Sequence, residues 1–180
     1  MNILLNAAPR LWPWLTVIAV CVGLEAGALY FQEIVGLYPC ELCIYTRVWL
    51  TGMALVALIG IFVRGFTWPR RLALVALFGL TLALCRTTWK LLGIDYGFGN
   101  DGACSLVANF PSWAPLDQWW PMLFMIQDAC SATPEVMFGL SMADGLAGVC
   151  VGFVVCLLLA IVGEFKSRDN ATDLTRRSNR

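Results

Sequence analysis

The chain has 180 residues, 59% of them hydrophobic and only 13% charged, with a mean hydropathy of +0.74, whereas a soluble domain is usually nearer half apolar and a quarter charged. A formal net charge of zero argues against a nucleic-acid partner. The sequence holds 8 cysteines and no histidine, so any chemistry must run on cysteine, carboxylate, arginine or a bound cofactor.

A membrane-spanning helix needs about 20 predominantly apolar residues, and four segments qualify. The first runs from about Leu11 to Phe31, interrupted only by Glu25. It is too long for a signal-peptide core, and no small-residue cleavage motif follows it. The second runs from about Cys43 to Val63 with Arg47 near its start, and the third from about Leu72 to Leu92 with Arg86 and Lys90 near its end. The fourth, about Gly145 to Val162, carries no charge. The expected fold is therefore an all-α membrane protein. A four-helix membrane domain would occupy residues 1–165, with a polar, mobile cytoplasmic tail at 166–180.

The basic residues set the expected orientation. Arg10, the cluster Arg64, Arg70 and Arg71, and the tail residues Lys166, Arg168, Arg176, Arg177 and Arg180 share one face, read as cytoplasmic. Both termini are expected there. Two loops then face the other side: a short one over about Gln32–Leu42 and a long one over about Gly93–Asp144. The long loop contains Trp113, Trp119 and Trp120 followed by Met122-Leu123-Phe124-Met125-Ile126. That composition suits a short helix lying in the membrane interface.

The cysteines divide in two. Cys21, Cys85, Cys150 and Cys156 fall inside apolar helices and read as small buried hydrophobes. Cys40, Cys43, Cys104 and Cys130 lie in the two outer loops or at their edges, facing an oxidising compartment. Cys40 and Cys43 form a Cys-Glu-Leu-Cys motif after Pro39, which places the motif at the opening of the second helix. The helix dipole and free amides there favour a thiolate. Arg47, four residues after Cys43, falls on the same helix face and adds a cation. Three readings of the four loop cysteines stand side by side: a redox relay, two inert disulfides, or a zinc site of four thiolates. Glu25 reads as a hydrogen-bonding tie between helices, and Arg86 with Lys90 as cations snorkelling to the interface.

The stretch Cys40-Glu-Leu-Cys-Ile-Tyr-Thr-Arg47 resembles the first-loop motif of the bacterial disulfide bond formation protein B (DsbB) family. So do Leu24-Glu25 and Ala28-Leu29-Tyr30-Phe31-Gln32 before it. The second loop is similar as well, with Cys104, Phe110-Pro111, Trp113, Pro115-Leu116-Asp117, Trp119, Pro121, Phe124 and Cys130, then Phe138-Gly139-Leu140 and Met142. The resemblance implies a four-helix bundle of the bacterial inner membrane with two periplasmic loops, acting as a quinone-dependent protein-disulfide oxidoreductase. It implies redox disulfides Cys40–Cys43 and Cys104–Cys130. The second would be offered to a DsbA-like thioredoxin-fold oxidase, and electrons would pass through Cys43 to ubiquinone or menaquinone. Arg47 is the implied contact to the quinone ring, and Met142 and Leu146 are candidate walls of its pocket. Some members carry a histidine where this chain has Leu91, so histidine is not expected to take part here. Rival expectations are a paralogue dedicated to a special substrate, a reductase of the vitamin K type, and a structural or zinc-binding membrane protein.

Overall fold

The computed structural model describes residues 10–98, 110–112, 114–128, 135–137 and 140–178; in 135–137, 140 and 165–178 it describes the backbone alone. Four long helices make up the molecule: α1 (Trp12–Tyr30), α2 (Glu41–Val63), α3 (Thr67–Asp95) and, last in the chain, α6 (Met142–Ser178). Between α3 and α6 lie two single-turn helices, α4 (Leu116–Trp119) and α5 (Pro121–Phe124). A two-stranded antiparallel ribbon follows, β1 (Glu135–Met137) against β2 (Leu140–Ser141). All four long helices have a stretch long and apolar enough to cross a membrane, which makes the chain a multi-pass membrane protein.

Helix ends differ from the apolar runs in instructive ways. Pro13 opens α1 where no amide partner is needed. At its other end α1 widens into a π-helical turn over Phe31–Val35, closed by Gly36 at φ 76° and by Leu37 N donating to Phe31 O at 3.1 Å. Helix α2 starts at Glu41 rather than 43, because Cys40 is its N-cap and Pro39 stands one residue before it. Helix α3 exceeds the expected 72–92 at both ends; Thr67, Pro69, Arg70 and Arg71 form its first turns, and the polar end reaches Asp95. Helix α6 begins at Met142 rather than 145 for a local reason. Asp144 N donates to Ser141 Oγ at 3.2 Å and Ser141 N to Asp144 Oδ2 at 3.1 Å, a reciprocal capping box. At the other end the backbone of α6 stays helical through Ser178, beyond the apolar stretch that ends near Glu164. The expected single interfacial helix is two single turns, broken where Pro121 opens the second.

Helix α1 packs on α2, α2 on α3 and α3 on α6. The core they enclose includes Cys21, Met53, Leu77, Leu84 and Phe153. Between helices in a bilayer there is no water to expel, so close packing and hydrogen bonds hold the bundle. Gly60 shows the packing directly: a Cβ there would overlap the indole of Trp14. Among the polar ties, Thr51 Oγ1 donates to Glu25 Oε1 at 3.4 Å between α1 and α2, and Trp49 Nε1 donates to Thr87 Oγ1 at 3.0 Å between α2 and α3. Tyr96 donates to both oxygens of Asp144, at 3.0 and 3.1 Å, joining the end of α3 to the start of α6. At the opposite end of the bundle, Arg70 pairs with Glu164 at 2.6 Å and Arg71 with the same oxygen at 3.3 Å. Outward-facing side chains such as Phe62 and Trp68, 77% and 76% exposed, supply the apolar surface that lipid covers.

Candidate redox site

The site starts from the N-cap of α2. Cys40 has extended backbone (φ −82°, ψ 172°), which turns its side chain over the first helical turn, and its sulfur accepts from Cys43 N at 3.4 Å. The Cys-x-x-Cys spacing therefore brings the two sulfurs together by capping geometry alone. They stand 2.7 Å apart as hydrogen-bonded thiols. Cys40 is 7% exposed and packs with Leu91 of α3 and Ala143 of α6; Leu42, Cys43, Leu92 and Leu146 surround that cluster. The hydrogen bond with the Cys43 sulfur, together with burial, pushes the Cys40 thiol above its ordinary range.

One turn beyond Cys43, Arg47 is 4% exposed. A cation so placed must find partners. Its Nη1 donates to Gln32 Oε1 at 2.9 Å and to Leu123 O at 3.1 Å, and its Nη2 to Ala28 O at 3.4 Å. The structure adds to the expectation that Arg47 serves Cys43 as a nearby cation. Its hydrogen bonds run to α1, to the π-helical turn and to the second loop, so its influence on the sulfur is through charge. Gln32 completes the arrangement: its Nε2 donates to Met122 O at 3.3 Å and to Glu33 Oε1 at 3.1 Å. Gln127 N donates to Pro39 O at 3.1 Å. Phe124 is buried beneath these contacts. The interfacial segment is thus fastened across the ends of α1 and α2, directly over the Cys40–Cys43 pair.

Of the residues expected at the site, Cys40, Cys43, Arg47 and Leu146 come together. Met142 is exposed at the first position of α6, one residue before Ala143. Cys104, Cys130 and Trp113 lie outside the described residues, so the second cysteine pair and the four-thiolate zinc alternative are not decided by this geometry. Among the helix cysteines, Cys21 and Cys150 are buried and Cys85 half-buried, but Cys156 is exposed, against expectation, and lines a cavity between α1 and α6. The uncharged run of α6 from Gly145 to Gly163 gives no sign of which face points inward. Sequence reasoning gave Gln32 no role, since a lone glutamine beside an apolar run has no periodic signal. The Ser141–Asp144 box was present as a Ser-x-x-Asp spacing that would have dated the start of α6.

A four-helix membrane bundle with a capped dithiol at one end, and a loop tied down over it, defines a membrane protein of thiol–disulfide chemistry. The family model for disulfide bond formation protein DsbB matches residues 10–161. Proteins named disulfide bond formation protein B are similar along most of their length. That of Shewanella denitrificans is 36% identical over 82% of this chain and 85% of its own, and that of Vibrio parahaemolyticus 35% identical over 84% and 85%. That of Photorhabdus laumondii is 34% identical over 86% and 91%. The chain belongs to the DsbB family and is a disulfide-forming membrane oxidoreductase.

Proposed function

We propose that this protein reoxidises a periplasmic DsbA-like thioredoxin-fold disulfide donor and passes the electrons to a membrane quinone, ubiquinone or menaquinone. The observation that carries the reading is the Cys40–Cys43 pair, with sulfurs 2.7 Å apart at the membrane end of α2. A soluble partner cannot reach a thiol at that depth unaided, and a quinone does not leave the bilayer. The pair therefore sits where a relay between the two would need it.

In this reading Cys104 and Cys130 form the disulfide met by the partner. The partner's thiolate attacks Cys104 and expels Cys130. In the oxidised protein, where Cys40 and Cys43 are joined as a disulfide instead of the two thiols seen here, the Cys130 thiolate attacks Cys40, forming a Cys40–Cys130 bond and releasing Cys43 as a thiolate. The bond from Gln127 N to Pro39 O holds the second loop one residue from Cys40 and three residues short of Cys130 in sequence, which favours that exchange. Arg47 supplies positive charge beneath Cys43. A quinone, when bound, accepts two electrons and two protons. The residues present suit such a molecule. An apolar cavity of about 330 Å³ opens between α1 and α6, lined by Trp12, Val17, Val20, Leu77, Val149 and Phe153. Leu146, one turn from Val149, reaches the Cys43 cluster, so an isoprenoid tail in the cavity would lead toward the sulfur. Leu146 and Met142 would flank the ring. The distribution of Lys and Arg supports a reading with the cysteine end in the periplasm and both termini in the cytoplasm, and membership of a bacterial disulfide-forming family supports the inner membrane.

Purified protein mixed with a reduced thioredoxin-fold oxidase, without added quinone, should oxidise about one equivalent of partner per active disulfide and stop; adding quinone should make the reaction catalytic. Cys104→Ser should abolish both phases. Partner thiols that stay reduced with the wild-type protein would overturn the reading.

A further inference from the structure

A second cavity, larger than the α1–α6 groove, lies apart from it and from the cysteine pair. It has a volume of about 750 Å³ and lies between α2 and α3 on the cysteine side of the bundle. Its floor is Trp49 and Thr87, joined by their hydrogen bond, with Leu82 and Ala83 beneath. Its outer wall is Trp89 and Phe98, whose rings lie 5.6 Å apart. Two cations, Arg86 and Lys90, one turn apart on α3, line it, and Glu41 is its one carboxylate.

Arg86 stands nine residues before the end of α3, about 14 Å along the helix. A guanidinium at such depth needs an anion or water. Among the described residues neither Arg86 nor Lys90 forms an ion pair; the ion pairs found there join Arg70 and Arg71 to Glu164 at the other end of the bundle. Arg86, Trp89 and Lys90 are exposed, so these lining side chains lie on the outer surface of the bundle. Basic cavities between membrane helices accept anionic lipid headgroups, and tryptophans concentrate at headgroup level.

We propose that this cavity binds an anionic glycerophospholipid of the adjoining leaflet. Its phosphate pairs with Arg86 and Lys90, and an acyl chain lies against Leu82, Ala83 and Trp49. The cations outnumber the carboxylate, an excess that matches the charge of a phosphate better than the neutral carbonyls of a quinone. The lining passes from charged to apolar in the order a lipid does. The inference needs only the membrane fold and is independent of the electron route.

Native mass spectrometry of the full-length protein in detergent tests it, with phosphatidylglycerol titrated against zwitterionic phosphatidylcholine. The wild type should prefer phosphatidylglycerol by about tenfold, and Arg86→Gln/Lys90→Gln should erase that preference. Ala83→Trp, which fills the cavity without removing charge, should weaken phospholipid binding even if the charge variant fails to fold. Millimolar inorganic phosphate should not displace the lipid. Equal binding of the two lipids by the wild type, or a preference surviving in both variants, would overturn the proposal. Displacement by phosphate alone would assign the site to a free anion instead.

Discussion

Arg47 Nη1 donates to Gln32 Oε1 at 2.9 Å, and the same nitrogen reaches Leu123 O at 3.1 Å. One buried guanidinium thus holds the end of α1, the start of α2 and the second loop in a single arrangement around Cys43. The sequence spacing that puts Arg47 on the Cys43 face is only part of its role. Arg47→Ala should lower quinone turnover about tenfold or more, and it leaves Gln32 and Leu123 O without their donor. Gln32→Ala should produce a smaller loss in the same direction. Quinone titrations of both variants check this. An unchanged apparent quinone affinity in Arg47→Ala would remove the guanidinium from the quinone end.

Gly60 has no substitute at its crossing. A methyl group there meets the ring of Trp14, so Gly60→Ala forces α1 away from α2 and should cost about 1–3 kcal/mol. Thermal unfolding in detergent should show a lower Tm. Trp14→Leu added to Gly60→Ala should recover part of the loss, because the smaller side chain removes the overlap; no recovery would point to a different cause.

The Arg70–Glu164 pair, at 2.6 Å with both side chains buried, fastens α3 to α6 at the end far from the cysteines. Removing one partner strands the other, which typically costs about 3–5 kcal/mol. Glu164→Leu should therefore destabilise sharply, whereas replacing both residues with apolar ones should cost less than the single change. A double-mutant cycle on Tm measures the difference, and strictly additive effects would mean the two charges are not coupled.

Cys21, Cys85, Cys150 and Cys156 take no part in the proposed thiol exchange. Thr88 Oγ1 and Cys150 Sγ lie 3.4 Å apart, within reach of a weak hydrogen bond, and Cys156 is exposed and lines the α1–α6 cavity as one apolar side chain among several. Replacing all four with Ala or Ser should leave turnover within about twofold of wild type, since each behaves as a small apolar side chain. Lost turnover at normal expression would give one of them a function.

The four spans and the Cys40–Cys43 motif were legible because hydropathy and short spacing are local signals. The ion pair between Arg70 and Glu164 and the bonds from Arg47 to Gln32 and Leu123 were not. Each joins residues on different elements, and nothing in an apolar run states which neighbour it meets. Arg70 and Arg71 read from sequence only as markers of a cytoplasmic face, yet both hold Glu164. Helix ends were misjudged where polar residues continue the helix past the apolar run, as at Thr67–Arg71 of α3. The start of α6 was different, since its Ser141–Asp144 cap was written in the sequence. The exposure of Cys156 was beyond reach, because α6 carries no charged residue between Gly145 and Gly163 to mark one face.

In the proposed electron route Cys43 delivers the electrons to the quinone. Quinone absorbance followed in the purified protein, with a reduced thioredoxin-fold oxidase and a soluble quinone, tests it directly when Cys43→Ser is run beside wild type. The account predicts steady quinone reduction by the wild type and none by the variant, although the variant can still exchange once with the partner through Cys104. Equal quinone reduction by both proteins would contradict it.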